Sequence, residues 1–391
     1  MKKYLILIAA VFIQVCLGAI YSWSTFIPAL KQHYGFSITQ TQTIFSAVSI
    51  TMTILIVVGG RIQDAIGPRI PAVLGGIILG ASYILAGYSN GSYPMLFLLI
   101  GILSGLGVGL CYLSPIACAI KWFPSHKSLV TGIAVAGYGG SPILLAQIGE
   151  HFLASNVDVL TIFKYFGFAF LIIVTAFSLF LENPKIEEGA TSENVKTRMR
   201  FVDIIKDTHF WALLAGFFPC VCIGLMIIGN IKTFGLSLNI SSFVAGSAIS
   251  IWGLFNAGGR IGWGIIGGFL TYKKTILISL ISTCIVCLCA PIAIQGSITF
   301  QIFGILAGFN HGACMVLYAA EVAQHYGAER MGSIYSTLFL STCVAAVVSP
   351  PVAGKIFDTV GSYTPVFIFW GLILLGCIFL FNHFYQTKKA I

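Results

Sequence analysis

The 391-residue chain is short of charge. Only 8% of it is Asp, Glu, Lys or Arg, while 58% is hydrophobic; a soluble globular domain carries about 25% charge. With a mean hydropathy of +0.96, that scarcity excludes a water-soluble fold. Polar stretches are equally scarce. The one substantial example is ENPKIEEGATSENVKTRMRFVDIIKD, running from Glu182 to Asp207, which counts against a membrane receptor, since one would usually add a sizeable soluble domain. The sequence has no GxxxxGK[ST] loop, which rules out ATP-driven transport by this chain alone. It also has no HExxH, no GxSxG and no cluster of Asp with His, the constellations a membrane enzyme would need. The chain is therefore read as a non-enzyme without cofactor or metal.

Acidic residues are fewer than basic ones, 12 against 21, leaving a net charge of +9. Such a surplus could suit nucleic acid, but the basic residues sit in the gaps between apolar runs. That is the positive-inside pattern of a membrane protein, and it gives no role to nucleic acid. The 11 cysteines all fall within apolar runs. Cys284-Ile-Val-Cys287 has CxxC spacing but no His, acidic or basic neighbour, so it reads as small packing residues and not a redox or metal pair.

What is present is apolar sequence, in runs of spanning length. Hydropathy places spans at roughly 4–28, 40–60, 70–89, 94–119, 128–150, 161–181, 209–234, 242–268, 275–294, 297–322, 332–354 and 364–384. The first run is too long for a signal peptide and no small-residue cleavage site follows it, so it reads as a span. The expected fold is an all-α membrane protein with twelve transmembrane helices in two pseudo-symmetric six-helix halves, residues 1–182 and 208–391. Residues 183–207 form a cytoplasmic linker ending in a short amphipathic helix that begins at Phe201.

Alternating the loops between the two faces gathers Lys2, Lys3, Arg61, Arg69, Lys121, Lys273, Lys274 and the basic linker residues on one side. The other side keeps only Lys31, Lys164, Lys232 and Lys355. This asymmetry predicts both termini in the cytoplasm and a multi-pass protein of the cell's inner membrane, surrounded by lipid and monomeric. Glycines spaced as Gly101-x-x-x-Gly105-x-Gly107-x-Gly109 predict close helix packing in span 4. Pro142 in span 5 and Pro350-Pro351 in span 11 occupy corresponding helices of the halves, the pattern expected of broken transporter helices.

Arg260 is the charge that sits deepest in an apolar run, SAISIWGLFNAGGRIGWGIIGGFL. Ten uncharged residues separate it from Thr271 and the Lys273–Lys274 pair. At about 1.5 Å per residue this places it roughly 15 Å above those lysines, near the middle of a core about 30 Å thick. A guanidinium at that depth costs roughly 2.5–3.5 kcal/mol or more and persists where it meets a cavity, a counter-ion or an anionic substrate. With no acidic residue comparably deep, the expected partner is a small anion.

Asn256, one turn earlier on the same face, is placed to hold the guanidinium or touch substrate. His311 lies near mid-span 10 and reads either as an imidazole bonded to a neighbouring helix or as a substrate donor or titrating group; with no deep carboxylate relay, it is the candidate should proton coupling exist. Glu321, near the inner end of span 10, is expected to be structural, pairing with a basic loop residue such as Arg330. The coupling partner of transport is a proton or a counter-anion.

Between spans 2 and 3 the chain reads Gly60-Arg-Ile-Gln-Asp64-Ala-Ile-Gly67-Pro-Arg69. This resembles the signature loop of the major facilitator superfamily, in which Gly, Asp and basic residues form a conformational latch. The second half keeps Gly264-Ile-Ile-Gly-Gly268 without the Asp, so that latch looks degenerate. Gly18-Ala-Ile-Tyr21-Ser-Trp23, Gly109-Leu-Cys-Tyr112-Leu-Ser-Pro115, Gly137-Tyr138-Gly, Asn256-Ala-Gly-Gly-Arg260 and Gly308-Phe-Asn-His311-Gly together are similar to the oxalate/formate antiporter family, relatives of the monocarboxylate transporters. The resemblance runs from span 1 to span 12. It implies a secondary transporter of small organic anions whose span-8 arginine, matched by Arg260, binds substrate carboxylate. It further implies a cavity lined at Tyr21, Tyr112, Tyr138 and Gln42. Oxalate-type members carry a lysine in span 11 where this chain has Thr342, so a monocarboxylate is expected over a dicarboxylate.

Overall fold

The computed structural model describes residues 2–123, 127–184, 201–327, 334–335 and 337–385. No strand occurs among them. In lipid, a backbone polar group has no water to bond, so each crossing must satisfy its own amides, and a helix does so within one segment. The crossings are α1 (Lys2–Thr25), α2 (Ile38–Ile66), α3 (Arg69–Ala86), α4 (Tyr93–Trp122), α5 (Lys127–Ala154) and α6 (Val159–Ser178). The second half adds α7 (Thr208–Ser237), α8 (Ser242–Phe269), α9 (Tyr272–Ala293), α10 (Ser297–Tyr326), α11 (Thr337–Val360) and α12 (Thr364–Phe384). Ten of these are long and apolar enough to cross a membrane by length and composition. The others are α5 and α8, each of 28 residues, and α8 is made less apolar by Asn256 and Arg260.

Helix starts are set by side-chain caps. Ser37 and Gln40 form a reciprocal capping box on α2, and Asp158, Asp207 and Ser241 cap α6, α7 and α8. A short helix, Phe201–Ile205, precedes α7, as the amphipathic end of the linker predicted.

Span 2 extends further than its apolar run. The helix continues to Ile66, and Gly67 then turns the chain with φ +88° before Pro68 and Arg69. Hydropathy marks where the core ends, and GRIQDAI extends the helix beyond it, so Gly60 and Asp64 lie on its last turns and not in a loop. The side chain of Asp64 lies outside the described residues. Arg69 donates from Nε to the Leu181 carbonyl at 3.4 Å and lies 3.8 Å from Glu182, which also pairs with Lys2 at 2.8 Å.

The prolines do not break their helices: Pro142, Pro350 and Pro351 all lie inside α-helix. The winding changes elsewhere, at Gly18–Thr25 (3-10), Phe97–Ser104 (π) and the turn at Leu340. The glycines of α4 serve close packing, because a Cβ at Gly105 or Gly109 would stand 2.8 or 2.7 Å from a backbone carbonyl of α2. Cys284 and Cys287 donate to the Gly371 and Phe367 carbonyls of α12, which is a packing role.

Glu321 is buried and its carboxylate lies 3.2 Å from His209 Nε2 and accepts from Tyr385 at 2.6 Å. It therefore ties α7, α10 and the end of α12 together; Arg330 is outside the described residues. Removing this acceptor strands buried donors at about 1–3 kcal/mol. Glu321→Ala is expected to lower thermal stability by that amount while leaving substrate KM unchanged, as read by melting in detergent and by uptake.

Contacts between the halves are concentrated in α2 with α11, α5 with α8, and the 3-10 end of α1 with α7. Since α2 corresponds to α8 and α5 to α11, the first two pairs are one arrangement used twice. At the end remote from the linker the seam is closed. The Asp358 carboxylate accepts from Ile38 N, Thr39 N and Thr39 Oγ1, and Gln42 Nε2 donates to Gly229 O at 2.8 Å.

Candidate substrate-binding site

Arg260 lies 18 residues from Ser242 and nine from Phe269, roughly 27 and 14 Å along the axis. Its neighbours Ile261, Ile265 and Phe269 face outward, whereas Asn256, Gly259 and Trp263 are buried. The guanidinium is thereby turned from lipid toward the seam between the halves. Nη2 donates to Asn256 Oδ1 at 3.1 Å, which fixes one arm, while the buried Nε has no partner among the described residues. None of the ion pairs among these residues involves Arg260. From the other half, Gly139 of α5 comes so near that a Cβ there would stand 3.4 Å from Asn256 Oδ1 and 3.9 Å from Arg260 Nη2.

Around this cation the structure gathers the expected tyrosines. Tyr138 packs edge-on against Tyr21 and Tyr112, with centroids 5.2 Å apart in both cases, and Tyr21 meets Trp252 at 5.7 Å. The Arg260 charge acts on Tyr21, Tyr112, Tyr138, Tyr335 and His311. The cluster thus draws on α1, α4 and α5 from one half and on α8, α10 and Tyr335, just before α11, from the other. Aromatic rings offer apolar walls with polar tips, a lining suited to a small organic anion.

His311 is buried, tilted against Trp252 at 5.3 Å, and its Nδ1 has no partner among the described residues. It borders a small cavity lined by Cys220, Gly224, Thr283 and Asn310. The bare backbone of Gly224 makes room for the ring, because a Cβ there would lie 1.9 Å from Nδ1. Gly224→Ala must push the imidazole toward Trp252. It is expected to cost about 1–3 kcal/mol of stability and to depress transport, which thermal melting and uptake would register.

Gln42 is placed elsewhere. It sits four residues into α2, about 6 Å from the closed end, where it bridges to α7. Trp252 and Tyr335 join the cluster without having stood out in the sequence. Their signal was weak: each is one more aromatic in an aromatic-rich chain, and only the Asn256–Arg260 face identifies Trp252, one turn earlier, as a neighbour. Thr342 is buried in α11 with its Oγ1 unpartnered among the described residues.

A guanidinium anchored by one arm, with a donor unpartnered among the described residues and tyrosines about it, has the chemistry to bind a small anion. Comparison with known proteins agrees with the architecture. The family model described as Major Facilitator Superfamily matches residues 8–270 and 220–390. The oxalate:formate antiporter of Oxalobacter formigenes is 26% identical over 94% of this chain and 88% of its own length. An uncharacterized MFS-type transporter of Escherichia coli, YhjX, is 26% identical over 88% and 86%. Monocarboxylate transporter 12 of Xenopus laevis is 23% identical over 96% and 87%. Among solved structures, a variant of the nucleoside transporter NupG superimposes with a TM-score of 0.77 at 13% identity, covering 99% of this chain and 100% of that one. With twelve helices in two halves and a family model matching nearly its whole length, the chain belongs to the Major Facilitator Superfamily.

Proposed function

We propose that the protein is a secondary transporter of small monocarboxylates, working by alternating access about a site at Arg260. The observation that carries this reading is a half-buried guanidinium at the seam of the halves whose buried Nε–H has no partner among the described residues. A guanidinium presents donors in a rigid fork suited to both oxygens of a carboxylate. The relatives' names point the same way: one exchanges oxalate for formate and others carry monocarboxylates. In this reading the residues about the site divide the work. Asn256 orients Arg260, while Tyr21, Tyr112 and Tyr138 wall the substrate and His311 contributes from α10. Gly60, Asp64, Gly67 and Arg69 act as the latch at the linker-proximal end.

The surplus of basic residues at that end supports placing it, with both termini, in the cytoplasm of a cell whose inner membrane holds the protein. The closed linker-distal end then faces outward. Uptake and counterflow in proteoliposomes with labelled formate, lactate, pyruvate and oxalate test the reading. Saturable uptake of the monoanions supports it, and failure of all four overturns it.

A further inference from the structure

A second buried cation lies on the same seam. Lys232 has a side chain only 3% exposed, on α7, and its Nζ lies 2.5 Å from Glu150 Oε1 on α5 and 3.2 Å from the Thr25 carbonyl at the 3-10 end of α1. The pair thus joins C-terminal α7 to two helices of the N-terminal half. Glu150 reaches it across α8 at Gly246, where a Cβ would meet the carboxylate at 2.6 Å. The Thr25 and Thr233 hydroxyls beside it are buried without partners among the described residues.

Lys232 is five residues from the linker-distal end of α7, about 7.5 Å, whereas Arg260 is roughly 27 Å from the corresponding end of α8. The two cations are therefore about 20 Å apart in depth and do not share one small anion. Between them the α5–α8 seam is polar. Gln147 donates to Ser250 at 3.0 Å, Ser250 donates to the Pro142 carbonyl at 2.9 Å, and Asn256 follows.

We infer that Lys232 is a second carboxylate-binding site, at the linker-distal mouth of the path to Arg260. The inference rests on the transport reading above. Alternating access requires the halves to part at this end, and parting them separates Lys232 from Glu150 and Thr25. The ammonium then stands at the mouth of the parted seam, where its field draws anions. The closed structure already displays the chemistry, since a carboxylate occupies Lys232 and that carboxylate is the protein's own. An entering anion takes the place of Glu150, stabilises the open form by its preference for it, and passes down the seam to Arg260. A leaving anion is displaced when Glu150 returns.

Transport of labelled formate, lactate or pyruvate, whichever the wild type takes up fastest, is measured from each face in right-side-out and inside-out vesicles. Lys232→Gln is expected to raise the linker-distal KM about 10-fold or more and to leave the KM at the opposite face within about 2-fold. Glu150→Gln removes the internal competitor and is expected to lower the distal KM. Lys232→Arg is expected to retain most of the distal affinity. A structural latch alone predicts that Lys232→Gln and Glu150→Gln act alike, each favouring the open distal end and so lowering the distal KM while raising the KM at the opposite face. That result would overturn the inference while leaving Arg260 as anchor. If Lys232→Gln fails to fold, Glu150→Gln still decides: an unchanged or raised distal KM, or a lowered distal KM matched by a raised KM at the opposite face, overturns the proposal. Should the wild type move none of the three anions, the transport reading falls and this inference with it.

Discussion

Arg260→Lys is expected to lose almost as much transport as Arg260→Ala. The two residues share a charge, so a site that needed only positive potential would tolerate the exchange. Here one arm of the guanidinium is held by Asn256 Oδ1 at 3.1 Å, while Nε–H remains free. Arginine can therefore be oriented and bind an anion at the same time. An ammonium is a compact point charge that cannot reproduce this division, and its hydration is costlier to strip. Truncating one member of a buried, hydrogen-bonded charge pair costs about 2–5 kcal/mol. That corresponds to roughly 30-fold to several-thousand-fold in binding. Both variants are expected to fall in this range for uptake in proteoliposomes, with melting temperatures near wild type. Wild-type uptake by correctly folded Arg260→Ala would remove the arginine from the site and with it the reading of the whole cavity.

The parts of this molecule legible in the sequence are those governed by one helix at a time. Apolar run length gave the twelve crossings, because lipid demands it of each helix separately. The depth of Arg260 and the i, i+4 relation of Asn256 follow from helical rise and period alone. Lys232 shows the limit. Standing two residues from the end of the apolar run 209–234, it counts in the sequence with the loop residues of its side, yet α7 continues through it to Ser237 and the other half supplies Glu150. A counter-ion 82 positions away leaves no trace in local sequence. Gln42 is similar: its polarity was evident, but its partner, the Gly229 carbonyl, belongs to the opposite half. The latch was displaced because hydropathy measures where lipid ends, not where a helix ends, and α2 runs on to Ile66. The prolines misled for a related reason. Their lost hydrogen bonds can be tolerated within a crowded helix, where neighbouring helices meet the freed backbone groups.

Monocarboxylates are expected to be preferred over oxalate, even though a relative 26% identical is an oxalate:formate antiporter. A monoanion on Arg260 leaves the loaded site neutral, so the protein can reorient around it without carrying charge through the core. A dianion leaves one negative charge uncompensated, at several kcal/mol before water relieves it, or a preference of about 100-fold or more. A second cation would remove the penalty, and the structure limits where one can be found. Thr342, which the family resemblance sets against the span-11 lysine of oxalate-type members, is a buried hydroxyl. Lys232 lies about 20 Å away in depth along the seam and is engaged by Glu150. His311 is the remaining group, buried between Trp252 and the Gly224 backbone and within the field of Arg260. Protonated, it would supply the missing charge, so whatever oxalate binding exists is expected to strengthen as pH falls and to vanish in His311→Gln. Monocarboxylate affinity should survive that substitution within a few-fold. Calorimetry on purified protein separates the cases: tight oxalate binding at alkaline pH requires a cation at the site besides Arg260, and the valence argument then fails.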